Sequence, residues 1–372
     1  MQRIGVLTGG GDAPGMNNVL KAIVYRANEA RLGVLGIYDG WEGLLGDDKP
    51  ETVELSPAMV RTWDRDGGTH LGSSRTNPFR VARGSAKRDA SDEVVRNVER
   101  LGLDAIVVVG GSDALGVAQR LVAKGVPIVC VPKSINKEIG ATDYSIGFDT
   151  SMRTCADIIE RSRTPAGSQR WVQVVEVFGH AAGHLALWSG LAGGAQVILI
   201  PEHRFTLERL YQRIEERLGV GPAHGVRSPR YATVVVSEGA APEGGREITV
   251  GTSVDDFGHA RLGGIGALLA ERIREDTPND ARVVSLGHPQ RGGVPSSIDR
   301  IMGHLFGSAA VEACLLKRFG TMISARGIAP AAGITLVDLA TAIAAPARVD
   351  VAAHYDTERY FAKRSVLSTS AR

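Results

Sequence analysis

Val107-Val108-Val109-Gly110-Gly111-Ser112-Asp113-Ala114-Leu115 is an apolar run that meets two glycines and then continues as a helix. A strand apolar at successive positions reads as buried on both faces, the pattern of a parallel sheet. The glycines carry no Cβ, so backbone N–H groups at the turn can approach an anion, and the helix that follows points its positive end at the same place. The fold class is therefore α/β, with a strand end shaped for phosphate. Such turns also occur in α/β proteins that bind nothing there, so the ligand depends on the other motifs.

The same pattern opens the chain. Arg3-Ile4-Gly5-Val6-Leu7-Thr8 runs into Gly9-Gly10-Gly11-Asp12-Ala13-Pro14-Gly15-Met16-Asn17-Asn18, followed by Leu20, Ile23, Val24 and Ala27 at helical spacing. A strand over 33–38 completes a β-α-β unit. The loop 67–75, Gly67-Gly68-Thr69-His70-Leu71-Gly72-Ser73-Ser74-Arg75, ends in a guanidinium, whose fixed charge and bidentate fork suit a phosphate in transfer. A helix over 92–101 leads into the opening strand, another runs from 113 to 124, and a strand over 126–131 ends at Pro132-Lys133-Ser134-Ile135-Asn136-Lys137-Glu138. Strand ends on one edge of a parallel sheet converge, so these loops are expected to face one crevice.

With 372 residues the chain is long enough for two domains. Hydrophobic residues make up 43% and charged residues 23%, which excludes a mainly disordered chain. The net charge of +2 supplies no bulk field for nucleic acid or membrane, so anion recognition must come from local clusters. Cys130, Cys155 and Cys314 are odd in number and lack metal-ligand spacing, as in a reduced cytoplasmic protein. No long apolar run or cleavable signal is present, and neither export nor membrane spanning is expected.

The run Leu7 to Asn17, the loop 67–75, and Thr142-Asp143-Tyr144-Ser145-Ile146-Gly147-Phe148-Asp149-Thr150 together resemble the phosphofructokinase family. The likeness continues through Val175-Glu176-Val177-Phe178-Gly179, Ser189-Gly190-Leu191-Ala192-Gly193-Gly194-Ala195 and Leu286-Gly287-His288-Pro289-Gln290-Arg291-Gly292-Gly293. Within the family it resembles the pyrophosphate-using and actinobacterial-type members. The resemblance implies a phosphotransferase with two Rossmann-like domains of mainly parallel sheet and an active site in the interdomain cleft. The donor-phosphate domain would hold 1–147 and about 292–340, and the sugar-phosphate domain 148–291 and about 341–372. It further implies a ketohexose 6-phosphate acceptor, pyrophosphate or ATP as donor, Mg2+, and a homodimer or homotetramer.

Carried over residue by residue, the resemblance gives Arg282, His288 and Arg291 to the sugar and its 6-phosphate, with Arg282 reaching across a subunit interface, and gives Glu238 to the sugar hydroxyls. Arg170 is one residue out of register with the family's second cross-interface arginine, which falls on Trp171. Gly10, Gly11, Gly110, Gly111, Asp113 and Lys133 form the donor-phosphate set. Asp113 and Lys133 match the pyrophosphate-type choices, because a carboxylate at 113 occupies space that a nucleotide needs.

Several positions depart from the family. Ser112 stands where an acidic residue helps hold the metal. The Thr-Ile-Asp-Asn-Asp motif is Ser134-Ile135-Asn136-Lys137-Glu138, so the aspartate that accepts the sugar's proton is Asn136; an amide orients a hydroxyl but takes no proton. His180 replaces an arginine near the acceptor, and Ala181 replaces a histidine. The catalytic set is then Arg75, Ser134, Asn136 and Glu138, with Glu138 or His180 as a displaced base and Glu138 and Ser112 as the remaining metal-ligand candidates. A base matters least for an acidic hydroxyl, so the sharpest reading is a transferase repurposed to move a phosphoryl or diphosphoryl group onto an anomeric hydroxyl. The alternatives are an ordinary 6-phosphofructokinase with an unusual base, and an inactive sugar-phosphate-binding regulator. Beyond position 330, a helix is expected over 336–344, and 354–372 reads as a C-terminal cover over the cleft, as an interface or, in preference, as a loosely ordered basic end.

Overall fold

The computed structural model describes all residues except 47–49, 84–85, 220–230, 255–256, 259, 329–331 and 365–372. β1 (Arg3–Gly9), α1 (Met16–Glu29) and β2 (Gly33–Ile37) form the first β-α-β unit, followed by β3 (Thr52–Leu55) and a hairpin of β4 (Val81–Arg83) and β5 (Ala86–Arg88). Helix α2 (Ser91–Arg100) leads into β6 (Ala105–Gly110), α3 (Ser112–Val122) and β7 (Ile128–Pro132). The long α4 (Phe148–Gln169) opens a second series of β8 (Val172–Val177), α5 (His184–Ala192), β9 (Val197–Leu199), α6 (Leu207–Leu218) and β10 (Ala232–Ser237). The pair β11 (Thr249–Val254) and β12 (Ala260–Leu262), then α7 (Ile265–Asp276) and β13 (Ala281–Ser285), complete it. After them come α8 (Ser297–Leu315), β14 (Thr321–Arg326), β15 (Gly333–Asp338), α9 (Leu339–Ile343), α10 (Val351–His354), and the hairpin β16 (Tyr355–Asp356) with β17 (Phe361–Ala362).

The chain divides into two units. The first holds Met1–Thr150, Val254–His259 and Arg291–Ala347; the second holds Ser151–Ser253, Ala260–Gln290 and Arg348–Arg372. The first unit is built on a seven-stranded sheet of order β15-β14-β7-β6-β1-β2-β3. Its five central strands are parallel, and the two edges, β15 and β3, are antiparallel to their neighbours. The second unit has an all-parallel sheet of order β13-β8-β10-β9. β6, β7, β8 and β10 are buried at every position, which explains why β6 and β7 are continuously apolar instead of alternating, while β8 and β10 bury the polar Gln173, Glu176, Thr233 and Ser237 among apolar residues. The expected α/β class with mainly parallel sheets is the fold observed.

Register positions the loops. Gly9 pairs with Gly110 across β1 and β6, and Gly110 with Pro132 across β6 and β7, so three neighbouring strands end in line. A Cβ on Gly9 or Gly110 would meet the Ala114 methyl at 2.9 or 2.6 Å, so both glycines let α3 approach the sheet. Gly15 precedes α1 at φ 96°, in the left-handed region that glycine tolerates, and the helix packs closely against α8.

Two expectations fail. Residues 336–338 are strand and not helix: Leu336 pairs with Ile323 in β15, and the helix starts only after Asp338, whose carboxylate accepts from the Thr341 N–H at 3.0 Å. Short apolar runs rich in β-branched residues fit either structure, and pairing with β14 decides this one. The C-terminal stretch is folded through the hairpin: Tyr355 and Tyr360 are buried, and the Tyr360 carbonyl accepts from Ile198 N–H at 2.7 Å. The rest of that stretch, 365–372, lies outside the described residues.

Candidate active site

In the first unit the loops after β1, β6 and β7 meet at Lys133. Its side chain is 4% exposed, and its Nζ donates to the Gly11 carbonyl at 2.5 Å. The same Nζ lies 3.5 and 3.6 Å from where Cβ atoms on Gly10 and Gly111 would be, in ordinary van der Waals contact with both, and Gly10 is held at φ 81° in the left-handed region that glycine tolerates. Burial first, then the positive charge of Arg291 and, more weakly, of Arg75, lower the Lys133 pKa to about 8 against the attraction of Glu138 and Asp12. The Arg291 Nη1 donates to the Asp12 carbonyl at 3.1 Å, and its guanidinium leaves no room for a Cβ on Gly11. The structure thus places Arg291, expected with the sugar phosphate, in the first unit with the glycine loop.

The loop 67–75 is fixed beside these groups. Gly10 N–H donates to the Ser74 carbonyl at 2.9 Å, and Thr8 Oγ1 donates to the Gly72 carbonyl at 2.6 Å. Asn17, fully buried, accepts from the His70 N–H at 2.9 Å and donates to the Asp66 and Gly67 carbonyls. Arg75 at the end of this loop is exposed.

After β7 the chain folds back on itself. Ser134 Oγ donates to Glu138 Oε1 at 2.9 Å and accepts from the Asn136 N–H at 3.1 Å. Asn136 Oδ1 and Glu138 Oε2 are both buried without a hydrogen-bond partner among the described residues. Two orphaned acceptors on one short turn invite a donor, a hydroxyl or a cation, from outside. Ser112 and Asp113 occupy the first turn of α3, exposed and half-buried respectively. They border a cavity of about 420 Å³ that Asn77, Gly116, Arg120 and Phe257 also line. Among the described residues no three His, Cys, Asp or Glu side chains group to hold a metal ion.

In the second unit, Glu238 Oε1 accepts from the N–H groups of Gly179 and His180 at 3.4 and 3.1 Å. His180 has a left-handed backbone at φ 49°, and a side chain on Gly239 would strike its carbonyl. His288 is exposed, its ring edge-on to Phe178 with centroids 6.0 Å apart. Arg282 lies on the edge strand β13, paired with Asp280 at 2.9 Å and placed 5.6 Å from the Trp171 ring. Arg170, with φ 64°, is exposed just past the end of α4.

The sequence reading did not single out Asp12 or Gln290. Asp12 stands inside a quoted motif, and the acid in a glycine loop was a usable signal. Gln290 had none, because two of its three partners, Cys155 and Phe178, lie far off in sequence.

Residues 3–314 match the family described as Phosphofructokinase. The chain is 42% identical to a pyrophosphate–fructose 6-phosphate 1-phosphotransferase of Amycolatopsis methanolica, over 96% of this chain and 99% of that protein. It is 41% identical to an ATP-dependent 6-phosphofructokinase of Chloroflexus aggregans, over 88% of each. The fold matches that of a pyrophosphate-dependent phosphofructokinase from Marinobacter aquaeolei with a TM-score of 0.80 at 19% identity, over 98% of this chain and 89% of that one.

Proposed function

This chain belongs to the phosphofructokinase family, and on that premise we propose that it moves a phosphoryl group from inorganic pyrophosphate to a ketohexose 6-phosphate. The observation that carries this is the Lys133 socket. A buried ammonium among Gly10, Gly11 and Gly111, with Arg291 beside it, offers a compact double anion several N–H groups and fixed positive charge. Relatives named for pyrophosphate and for ATP are about equally similar, so the choice of donor rests on Lys133 and on the Asp113 carboxylate.

Phosphoryl transfer asks mainly for positioning and charge stabilisation. Arg75, Lys133 and the amides of Gly11 and Gly111 hold the donor, while Gly10, whose N–H is bound to the Ser74 carbonyl, leaves room beside the ammonium. His180, Glu238 and His288 hold the sugar, and Arg170 and Arg282 serve its phosphate from an oligomer interface. The first unit is then the donor side and the second the acceptor side. The acceptor oxygen bonds to phosphorus as the bridging P–O bond breaks and orthophosphate leaves. Asn136 Oδ1 accepts a hydrogen bond from the attacking hydroxyl, and Glu138, steadied by Ser134, takes the proton. Glu138 and Asp12, the two carboxylates whose charge acts on Lys133, would hold Mg2+, with Ser112 as a further candidate, and the ion would neutralise phosphate charge.

Asn136 favours a second reading of the same site, in which the attacking hydroxyl is the anomeric one and the group moved is phosphoryl or diphosphoryl. An amide in place of the base costs on the order of 10²–10⁴-fold with a primary hydroxyl and less with an acidic one. The test is incubation of fructose 6-phosphate and other ketohexose 6-phosphates with pyrophosphate or ATP and magnesium, with products identified by phosphorus NMR. Fructose 1,6-bisphosphate formed at a rate that Asn136→Asp leaves unchanged sinks the anomeric reading. Turnover with ATP and none with pyrophosphate sinks the choice of donor.

A further inference from the structure

Gln290 lies within the family-like stretch 286–293, yet no role falls on it. Its side chain is 0% exposed. Oε1 accepts from the Phe178 backbone N–H at 3.0 Å and from the Cys155 thiol at 3.3 Å, while Nε2 donates to the Gly287 carbonyl at 2.9 Å. One amide therefore joins α4, the turn after β8 and the turn that carries His288. The turn after β8 also presents the Gly179 and His180 N–H groups to Glu238, and its Phe178 ring meets the His288 ring. Every sugar-side group of the second unit outside β13 and the end of α4 is thus one or two contacts from Gln290.

The chain passes from the second unit to the first at the bond between Gln290 and Arg291. An apolar side chain of the same length would remove the part-buried hydrogen bonds that Gln290 makes to the Phe178 N–H and the Gly287 carbonyl, and such lost bonds shift a loop more readily than they unfold a domain.

We infer that Gln290 is a positioning residue for acceptor recognition, holding His288, His180 and Glu238 in mutual register without touching the sugar phosphate. The inference rests on the proposed reading of the second unit as the acceptor side. Two measurements test it: fructose 6-phosphate binding by titration calorimetry without donor, and steady-state kinetics with pyrophosphate. Gln290→Met should weaken acceptor binding and raise acceptor KM about tenfold, with the pyrophosphate KM unchanged within about twofold. Gln290→Glu adds a readout that bulk destabilisation does not mimic. The ionised carboxylate still accepts from Phe178 N–H but cannot donate to Gly287, whereas the protonated acid does both. Its acceptor KM should therefore fall toward the wild-type value between about pH 8 and pH 6, a trend absent from the wild type. Cys155→Ala removes only the thiol contact and should leave acceptor KM unchanged. Acceptor and donor KM rising together, Gln290→Met matching the wild type, or Cys155→Ala matching Gln290→Met would each overturn the inference. A wild-type protein that binds no ketohexose 6-phosphate would instead overturn the acceptor reading, and the inference with it.

Discussion

Lys133 is a cation held where water is excluded, and the cause of its lowered pKa predicts its response to an anion. Desolvation and the Arg291 charge outweigh Glu138 and Asp12, which leaves a folded-state pKa of about 8 against an ordinary 10.5. The unfolded chain therefore binds the proton more tightly, and native stability rises with pH across the window from about 8 to 10.5. Lys133→Met should remove that rise in urea denaturation curves. Pyrophosphate beside the ammonium raises its pKa again, so binding near pH 8 should take up protons from the buffer. Calorimetry in two buffers of different ionisation enthalpy measures the uptake, and Lys133→Met should abolish it; uptake that survives would show that another group titrates. At this scale much of the site could be read from the chain, because Lys133, Gly10 and Gly111 sit at strand ends whose register follows from the parallel fold. Asp12 facing the ammonium and Arg291 filling the space at Gly11 could not, because both depend on how loops far apart in sequence close on each other.

Two helical glycines look alike in sequence and should behave oppositely. Glycine inside a helix costs roughly 0.5–1 kcal/mol relative to alanine, so replacement stabilises wherever space permits. A Cβ on Gly116 of α3 would meet nothing within 4 Å, whereas one on Gly307 of α8 would lie 2.5 Å from the Val19 carbonyl oxygen in α1. Backbone cannot yield as a flexible side chain can, so the steric term decides the sign at Gly307. Gly116→Ala should gain about 0.5–1 kcal/mol and Gly307→Ala should lose about 1–3 kcal/mol in chemical denaturation. If both stabilise, α1 and α8 are not in the close contact that holds Gly15, and with it the glycine loop, in place. The apolar periodicity of α1 was legible, but the partner that requires small residues on α8 was not, since the requirement arises only when the two helices meet.

The order of strands in the large sheet shows where reading along the chain stops. Residues up to 132 supply β1, β2, β6 and β7 in a sequence-local pattern, but β14 arrives from 321–326 to pair with β7 and brings β15 with it. Long-range pairing of this kind overrode the helical reading of 336–338. The C-terminal stretch is the same case in the second unit. β9 is an edge strand of its sheet, and unpaired edge groups invite association with other chains. Here the Tyr360 carbonyl takes the Ile198 N–H, and the Tyr355 hydroxyl donates to the Ile198 carbonyl at 2.6 Å, so the hairpin covers that edge. Tyr355→Phe removes one buried hydrogen bond and should cost about 1 kcal/mol, while Tyr355→Ala also empties the space of a fully buried ring and should cost about 3–5 kcal/mol. Ending the chain at Ala347, where the first unit's last segment stops, should expose β9 and give concentration-dependent light scattering and loss of sugar-phosphate binding. Pyrophosphate binding and its proton uptake belong to groups of the first unit and should persist in the soluble fraction. A truncated chain that stays monodisperse and binds both ligands as the intact one does would mean that the tyrosines pack there without supporting the sheet.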